Sequence, residues 1–402
     1  MLHTTSVKIG FLFILLVNVN HTVAQTGTDA RTTEFLKQFR SDYNKSQVDR
    51  KFENMHSYYA TNKKAITAGE SKHGIVVDEH FISTILKENR IGLNPDRKVK
   101  VYLPPGYNKS NKVYPVIYYF HSIGNSPDKL FEDNKLTQVL ERAFDNHLIN
   151  EFIFVAADYT SPTIGSLFEN SHVSGRWLDF TVNELVPFID NKFRTLRHRD
   201  SRALAGDFIG GRGALKLAMT HAELFSVVYA LHPVATGLGY MPWMDLQVDW
   251  KKIQQAKTFE EIGTDFRSRF FVAVSQAFLP NLNRPPFYCD FFKEENNGEF
   301  KPNLNNINTA KTGFHLEETL NESAANLRTM RGIAFDWGRF DANPDHVYAN
   351  QAFSKKLRDQ GIEHEAEEYN GDPFSKNWIE QGRVYTRMLP FFARHLVFEE
   401  QK

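Results

Sequence analysis

The chain has 402 residues, 41% of them hydrophobic and 24% charged, a balance that supports a large buried core and excludes a disordered chain. Lys and Arg together number 48, as do Asp and Glu, so no global field draws the protein to nucleic acid or to an anionic membrane surface. The single cysteine, Cys289, excludes an intrachain disulfide.

In chain order, the apolar run from Ile9 to Val19 follows Lys8, and Thr22-Val23-Ala24 offers small residues before Gln25. This predicts a signal peptide over residues 1–24 and a secreted or periplasmic protein. The run is too short to cross a bilayer and no lipid-anchor cysteine follows it, so no membrane anchor is expected. Phe35, Phe39 and Tyr43, then Phe52, Met55 and Tyr59, recur at helical spacing and predict a helical appendage over residues 25–73. Gly74 to Asp78, Phe81 to Leu86 and Lys98 to Leu103 are short and β-prone, and Pro104-Pro105-Gly106 ends the last of them in a turn. They predict antiparallel strands at the start of a sheet.

Beyond them, apolar strand-length runs alternate with helix-length patterns. The strands are expected at Val116 to Phe120, Phe152 to Ala157, Ala203 to Ala205, Val227 to Leu231 and Gly332 to Phe335. The helices are expected around Leu130 to Asn146, Trp177 to Ile189, Gly211 to Thr220, Ala349 to Gln360 and Ile379 to Leu396. Such alternation predicts an α/β fold over residues 74–402, with a mostly parallel central sheet, helices on both faces and functional loops at the carboxyl ends of the strands. A long segment rich in Pro, Asn and aromatics, about residues 233–329, interrupts the alternation and predicts a lid-like insertion. There is no Gly-rich phosphate loop, Cys/His zinc pattern or H-E-x-x-H helix, so neither a cofactor nor a metal is expected.

The stretch Gly206-Asp207-Phe208-Ile209-Gly210-Gly211 has the glycine spacing of a nucleophile elbow, G-x-S-x-G, with Phe208 in place of the serine. Around it stand Val101-Tyr102-Leu103-Pro104-Pro105-Gly106-Tyr107, Tyr114-Pro115-Val116-Ile117-Tyr118-Tyr119-Phe120-His121, Ser171 to Gly175 with Trp177, Glu184 to Asp190, and Phe193-Arg194-Thr195. In order and spacing these resemble the α/β-hydrolase superfamily esterases that include esterase D, feruloyl esterases and enterochelin-esterase-like proteins.

The resemblance implies an α/β-hydrolase fold and a Ser-His-Asp site, and the residues depart from that site in two of three positions. Phe208 replaces the nucleophile, and Pro373 in Tyr369-Asn370-Gly371-Asp372-Pro373 replaces the base. The acid survives as Asp341 in Asp336-Trp337-Gly338-Arg339-Phe340-Asp341. The oxyanion loop reads His121-Ser122-Ile123-Gly124, one glycine short of H-G-x-G, and the resemblance implies backbone donors at Ser122 and Ile209. His121, Trp177, Asp207 and His232 are candidates for the pocket wall. Asp207 is expected to pair with Arg212 or to cap the following helix, and His232 either to face the pocket as a base or to bond nearby backbone. His346 and His364 are further from expectation as partners of Asp341, and Trp243, Trp337, Phe287 and Tyr288 are candidate aromatic wall residues.

A benzyl side chain has no lone pair with which to attack a carbonyl, so Ser-dependent acyl transfer through this elbow is excluded. Three readings follow. The chain is a pseudo-esterase that binds an ester, carbohydrate, aromatic ligand or protein partner without hydrolysing it; it is an active hydrolase with an unrecognised nucleophile; or it is a structural or interaction subunit whose pocket Phe208 fills. An apolar open cleft beside Asp341 would favour the first, a polar open pocket the second and a sealed pocket the third.

Overall fold

The computed structural model describes residues 73–132, 135–238 and 248–399. The expected signal peptide, all but the last residue of the appendage, and Trp243 lie outside the described residues. Eight strands form the main sheet: β1 (Ile75–Ile82), β2 (Asp96–Leu103), β3 (Val116–Phe120), β4 (Ile153–Ala157), β5 (Arg202–Asp207), β6 (Val227–Leu231), β7 (Gly332–Gly338) and β8 (Glu365–Tyr369), in the spatial order β1-β2-β4-β3-β5-β6-β7-β8. β1 runs antiparallel to β2 and β2 antiparallel to β4, while every pairing among β3 to β8 is parallel.

Side chains alternate across this sheet and fill two separate cores, as a pleated sheet covered on both faces requires. Val116, Tyr118, Leu204 and Val228 belong to one buried cluster, Ile117, Tyr119, Ala203, Ala205 and Tyr229 to the other. The main helices are α1 (Lys135–Asp145), α2 (Val186–Lys192), α3 (Ile209–Thr220), α4 (Trp250–Gln255), α5 (Phe266–Phe278), α6 (Leu304–Phe314), α7 (Leu320–Arg328), α8 (Pro344–Asp359) and α9 (Leu389–His395). The fold is that of an α/β-hydrolase.

The segment between β6 and β7 carries α4 to α7 and a hairpin of Lys293–Asn296 with Glu299–Pro302. It is built into the core: Trp250, Phe271, Phe314 and Leu320 share a cluster with Val116 and Leu204. Arg212 of α3, fully buried, fixes the junction. It donates to the carbonyls of Phe314 (2.8 Å) and Leu167 (2.9 Å) and pairs with Glu169 (2.6 Å). A buried guanidinium is tolerable only with its donors satisfied in this way.

Two expectations are corrected. Phe81 to Leu86 is not a strand of its own: Phe81 and Ile82 end β1, and Ser83 caps a helical turn at Thr84–Lys87 by accepting from the Leu86 N–H (2.9 Å). β8 was not anticipated, because Glu365-Ala366-Glu367-Glu368-Tyr369 has no apolar run. It is an edge strand whose carboxylates meet cations: Glu365 pairs with Arg394 (2.7 Å), Glu367 with Arg383 and Arg387 (2.8 Å each) and Glu368 with Arg339 (3.1 Å). Charged side chains are a common way to protect a sheet edge.

The register sets the site. Phe120 of β3 stands opposite Gly206 of β5, Asp207 opposite Leu231 of β6, and Leu231 opposite Asp336 of β7. The residues just beyond these ends therefore emerge along one edge. β4 and β5 leave β3 on opposite sides, which opens a crevice at the carboxyl ends, the usual place for a ligand in a parallel sheet.

The elbow depends on close backbone approach. A Cβ at Gly206 would stand 2.5 Å from the Gly210 carbonyl oxygen, and one at Gly210 would enter the van der Waals envelope of the Phe120 carbonyl. Gly210→Ala is therefore expected to lower unfolding stability by about 3 kcal/mol or more, since backbone and not a flexible side chain must move. Urea denaturation followed by circular dichroism measures this, and an unchanged midpoint would contradict the packing argument.

Candidate functional site

Phe208 joins β5 to α3 with φ +56° and ψ −115°, a conformation strained for any residue with a Cβ. The turn is pinned on both sides: the Phe208 N–H donates to the Leu231 carbonyl (3.0 Å), and the Phe208 carbonyl accepts from the Arg212 N–H (3.1 Å). The backbone thus makes the sharp strand-to-helix turn of a nucleophile elbow. Its half-buried ring meets His346 edge-on and Phe374 at a tilt, with centroids 5.2 Å apart in each case, and lies near-parallel to His232 at 6.1 Å.

Asp341 follows β7 and has no exposed side-chain surface. Its Oδ2 lies 2.8 Å from His232 Nε2 and 2.8 Å from His346 Nδ1, while Oδ1 accepts from the Asn343 N–H (2.8 Å). Hydrogen bonding assigns the protons. His232 Nδ1 accepts from the Gly338 N–H (2.9 Å), so the ring is neutral and donates through Nε2 to Asp341. His346 donates through Nδ1 to the same oxygen, and its Nε2 accepts from the Asn343 side-chain amide (3.0 Å).

His346 reaches Asp341 because of helix geometry. Asn343 caps α8 by accepting from the Asp345 N–H, Pro344 opens the helix, and His346 is its third residue. Side chains in a first turn lean back toward the helix N-terminus, here over the loop that carries Asp341. That lean was the signal that could have found it.

His232, Asp341 and His346 also present three ligand atoms within 4.8 Å of one another. The donor set suits a divalent cation, but the protonation does not. A metal on His232 Nε2 needs that lone pair, which in a neutral ring requires the proton on Nδ1, where the Gly338 N–H already points. The residues in this arrangement do not fit a metal, and no chemistry is derived through one.

On the other side of the elbow, the loops after β3 and β4 and the start of α3 form a shallow recess that encloses room for about one water molecule. His121, Ser122, Ile123, Gly124, Asn125 and Ile209 line it, with Tyr159 and Phe168 behind them. Ile209, first residue of α3, stands where the resemblance implies an oxyanion donor, since the opening amides of a helix have no intrahelical acceptor. Ser122 stands in the oxyanion loop as expected, with its amide beside the Asp207 carboxylate. His121 is engaged at both nitrogens, donating from Nδ1 to the Ser122 carbonyl (3.0 Å) and accepting at Nε2 from the Tyr159 N–H (3.1 Å), and burial holds its pKa below the ordinary imidazole value.

Asp207 neither pairs with Arg212 nor caps α3. It turns under the sheet edge to accept from the Tyr119 hydroxyl (3.0 Å), leaving Arg212 to Glu169. Burial pushes its carboxyl up to about 6, against the Tyr119 hydroxyl and the amides of Asp207 and Ser122. Trp177 is core and not pocket wall, donating to the Ser174 carbonyl (2.9 Å) one layer behind Tyr159. Pro373 is buried in the loop after β8, and its neighbour Phe374 makes the contact with the elbow. His364 bonds Ser354 (2.8 Å) and the Ile362 carbonyl instead of Asp341. Trp337 donates to Glu368 (3.1 Å), and Phe287 packs on Phe291 within the insertion.

Comparison with known proteins agrees with this geometry. Residues 92–273 match the family model described as "Putative esterase". The match spans less than half of the chain and marks a likeness to that family over this region. An esterase of Mycobacterium tuberculosis (strain H37Rv) is 36% identical over 149 residues, which make up 34% of this chain and 28% of that protein. The chain thus spans little more than a quarter of that relative's length. Among solved structures, a ferulic acid esterase superposes with a TM-score of 0.56 at 18% identity, covering 80% of this chain and 98% of that one. The S-formylglutathione hydrolase of Staphylococcus aureus superposes with a TM-score of 0.51 at 12% identity, covering 80% and 99%. These two likenesses establish the fold alone.

Within this fold, Asp207 makes stability depend on pH. Its folded pKa lies above the ordinary carboxyl value of 3.8, so the folded state holds the proton more tightly, and stability is lost as pH rises from about 4 to about 6. Asp207→Asn removes that loss. Relative to the unaltered chain, the variant should gain about 3 kcal/mol between pH 4 and pH 7. Urea midpoints across that range measure it, and a difference that stays flat with pH would refute the assignment.

Proposed function

We propose that this chain is an exported, non-hydrolytic member of the esterase family whose fold serves as an interaction or structural module. The observation that carries the reading is the Phe208 ring, held at the elbow against His232, His346 and Phe374. In a working esterase the elbow places an activated hydroxyl beside a histidine, and the acyl group occupies the space in front of it. Here a benzyl group stands at that point, and the carboxylate and one histidine behind it have no exposed side-chain surface. The pocket beside Asp341 is filled, which favours the interaction module over an open binding cleft.

A second reading, binding of a small ester or aromatic ligand without hydrolysis, would use the shallow recess on the oxyanion side of the elbow, whose walls must part to admit a ring. The buried Ser122 hydroxyl there has no hydrogen-bond partner, and Ile123, Tyr159 and Phe168 give it apolar walls. The ferulic acid esterase of the same fold acts, by its name, on an aromatic ester.

The purified chain is expected to show no covalent labelling by a fluorophosphonate and no turnover of short acyl or feruloyl esters above background, because no hydroxyl stands at the elbow. Stoichiometric labelling, or turnover that survives repurification, would overturn the reading. Export rests on the apolar run before Gln25. N-terminal sequencing of chain recovered outside the cytoplasm should begin at Gln25 or a close neighbour, and recovery of intact Met1 there would count against cleavage.

A further inference from the structure

The base position after β8 is lost to Pro373, yet the acid has not lost a histidine. We propose that His346, presented from the first turn of α8, has taken over the role of the triad histidine, so that position 208 is the one missing member of a latent acyl-transfer site. This rests on reading Phe208 as the elbow residue.

Three observations carry it. First, the His346 imidazole is protonated on Nδ1 and held by Asp341 Oδ2 at 2.8 Å, which is the orientation and tautomer a triad carboxylate imposes on its base. Second, the lone pair of Nε2 is directed away from Asp341 and is occupied by a donor, the Asn343 amide at 3.0 Å, much as a nucleophile's hydroxyl would occupy it. Third, the ring packs directly on the elbow residue at a near right angle, with centroids 5.2 Å apart. His232 fails the same test, because its Nδ1 is capped by Gly338 and its Nε2 proton goes to Asp341.

The chemistry balances with a hydroxyl at position 208. The oxygen bonds to the acyl carbon of an ester while its proton passes to His346 Nε2, with the Asn343 amide giving way. That proton then goes to the departing alkoxide as the C–O bond breaks. Water attacks the acyl-enzyme by the reverse route, giving the free acid and restoring the hydroxyl.

A cysteine at the elbow reports the base without needing turnover. Cys289 is the sole native cysteine and is fully buried, so the unaltered chain provides the blank. In Phe208→Cys, a neighbouring imidazole should lower the thiol pKa and speed alkylation by iodoacetamide near pH 7, and adding His346→Gln should slow it roughly tenfold and move the pH profile upward. Phe208→Ser should in turn take a fluorophosphonate label that His346→Gln removes, with Pro373 untouched. Equal rates and pH profiles with and without His346 would overturn the assignment. Should the cysteine variant not fold, the unaltered chain decides: imidazole ¹⁵N shifts at pH 8 should show neutral His346 protonated on Nδ1, and an Nε2–H tautomer would equally overturn it. Labelling of the unaltered chain would instead count against the non-hydrolytic reading, so the two failures are distinguishable.

Discussion

The close approach of two backbones governs this site. β5 must turn into α3 within one residue, and the turn is achieved only because Gly206 and Gly210 let the helix sit against the carbonyl that ends β3. The intervening residue is forced to φ +56° at a cost of order 1–3 kcal/mol. Such strain is ordinarily tied to the chemistry of the residue that bears it. Here the residue bears no reactive group and the strain remains, because the packing of α3 on the sheet, and through Arg212 the seating of α6, depend on that turn. The elbow acts as a structural joint. Its side chain is thereby fixed in the place a nucleophile would occupy, whatever that side chain is.

The central strands were legible because a parallel sheet covered on both faces reads as continuous apolar runs, and Val116 to Phe120 or Val227 to Leu231 admit no other reading at their length. β8 was not, because an edge strand stabilised by Glu–Arg pairs looks hydrophilic until the arginines of later segments are placed beside it. The same division runs through the site. Phe208 and Asp341 were found through glycine spacing and a local pattern, and both stand at the expected strand ends. His346 was undervalued because its contact depends on the direction in which a first-turn side chain leans, and Asp207 was misread because residue spacing does not say on which side of the sheet edge a carboxylate turns.

Asp341 shows how structure and latent chemistry come to share a bond. A carboxylate with no exposed surface must be supplied with donors, or its burial costs several kcal/mol. In a triad the base supplies one of them, and a proline cannot. His232, His346 and the Asn343 amide provide three between them. The requirement that a buried carboxylate be satisfied is enough to hold an imidazole in the triad's tautomer with no hydroxyl at the elbow.

The same requirement decides which of these positions tolerates an apolar residue. Phe208 and Pro373 stand at turns where an apolar side chain finds apolar contact, as Phe208 does against Phe374. Asp341 has no such route, since replacing it would strand two imidazole donors and a backbone N–H in a buried site. Which position must keep its polar group follows from which group is bound into the interior by its partners and which is not.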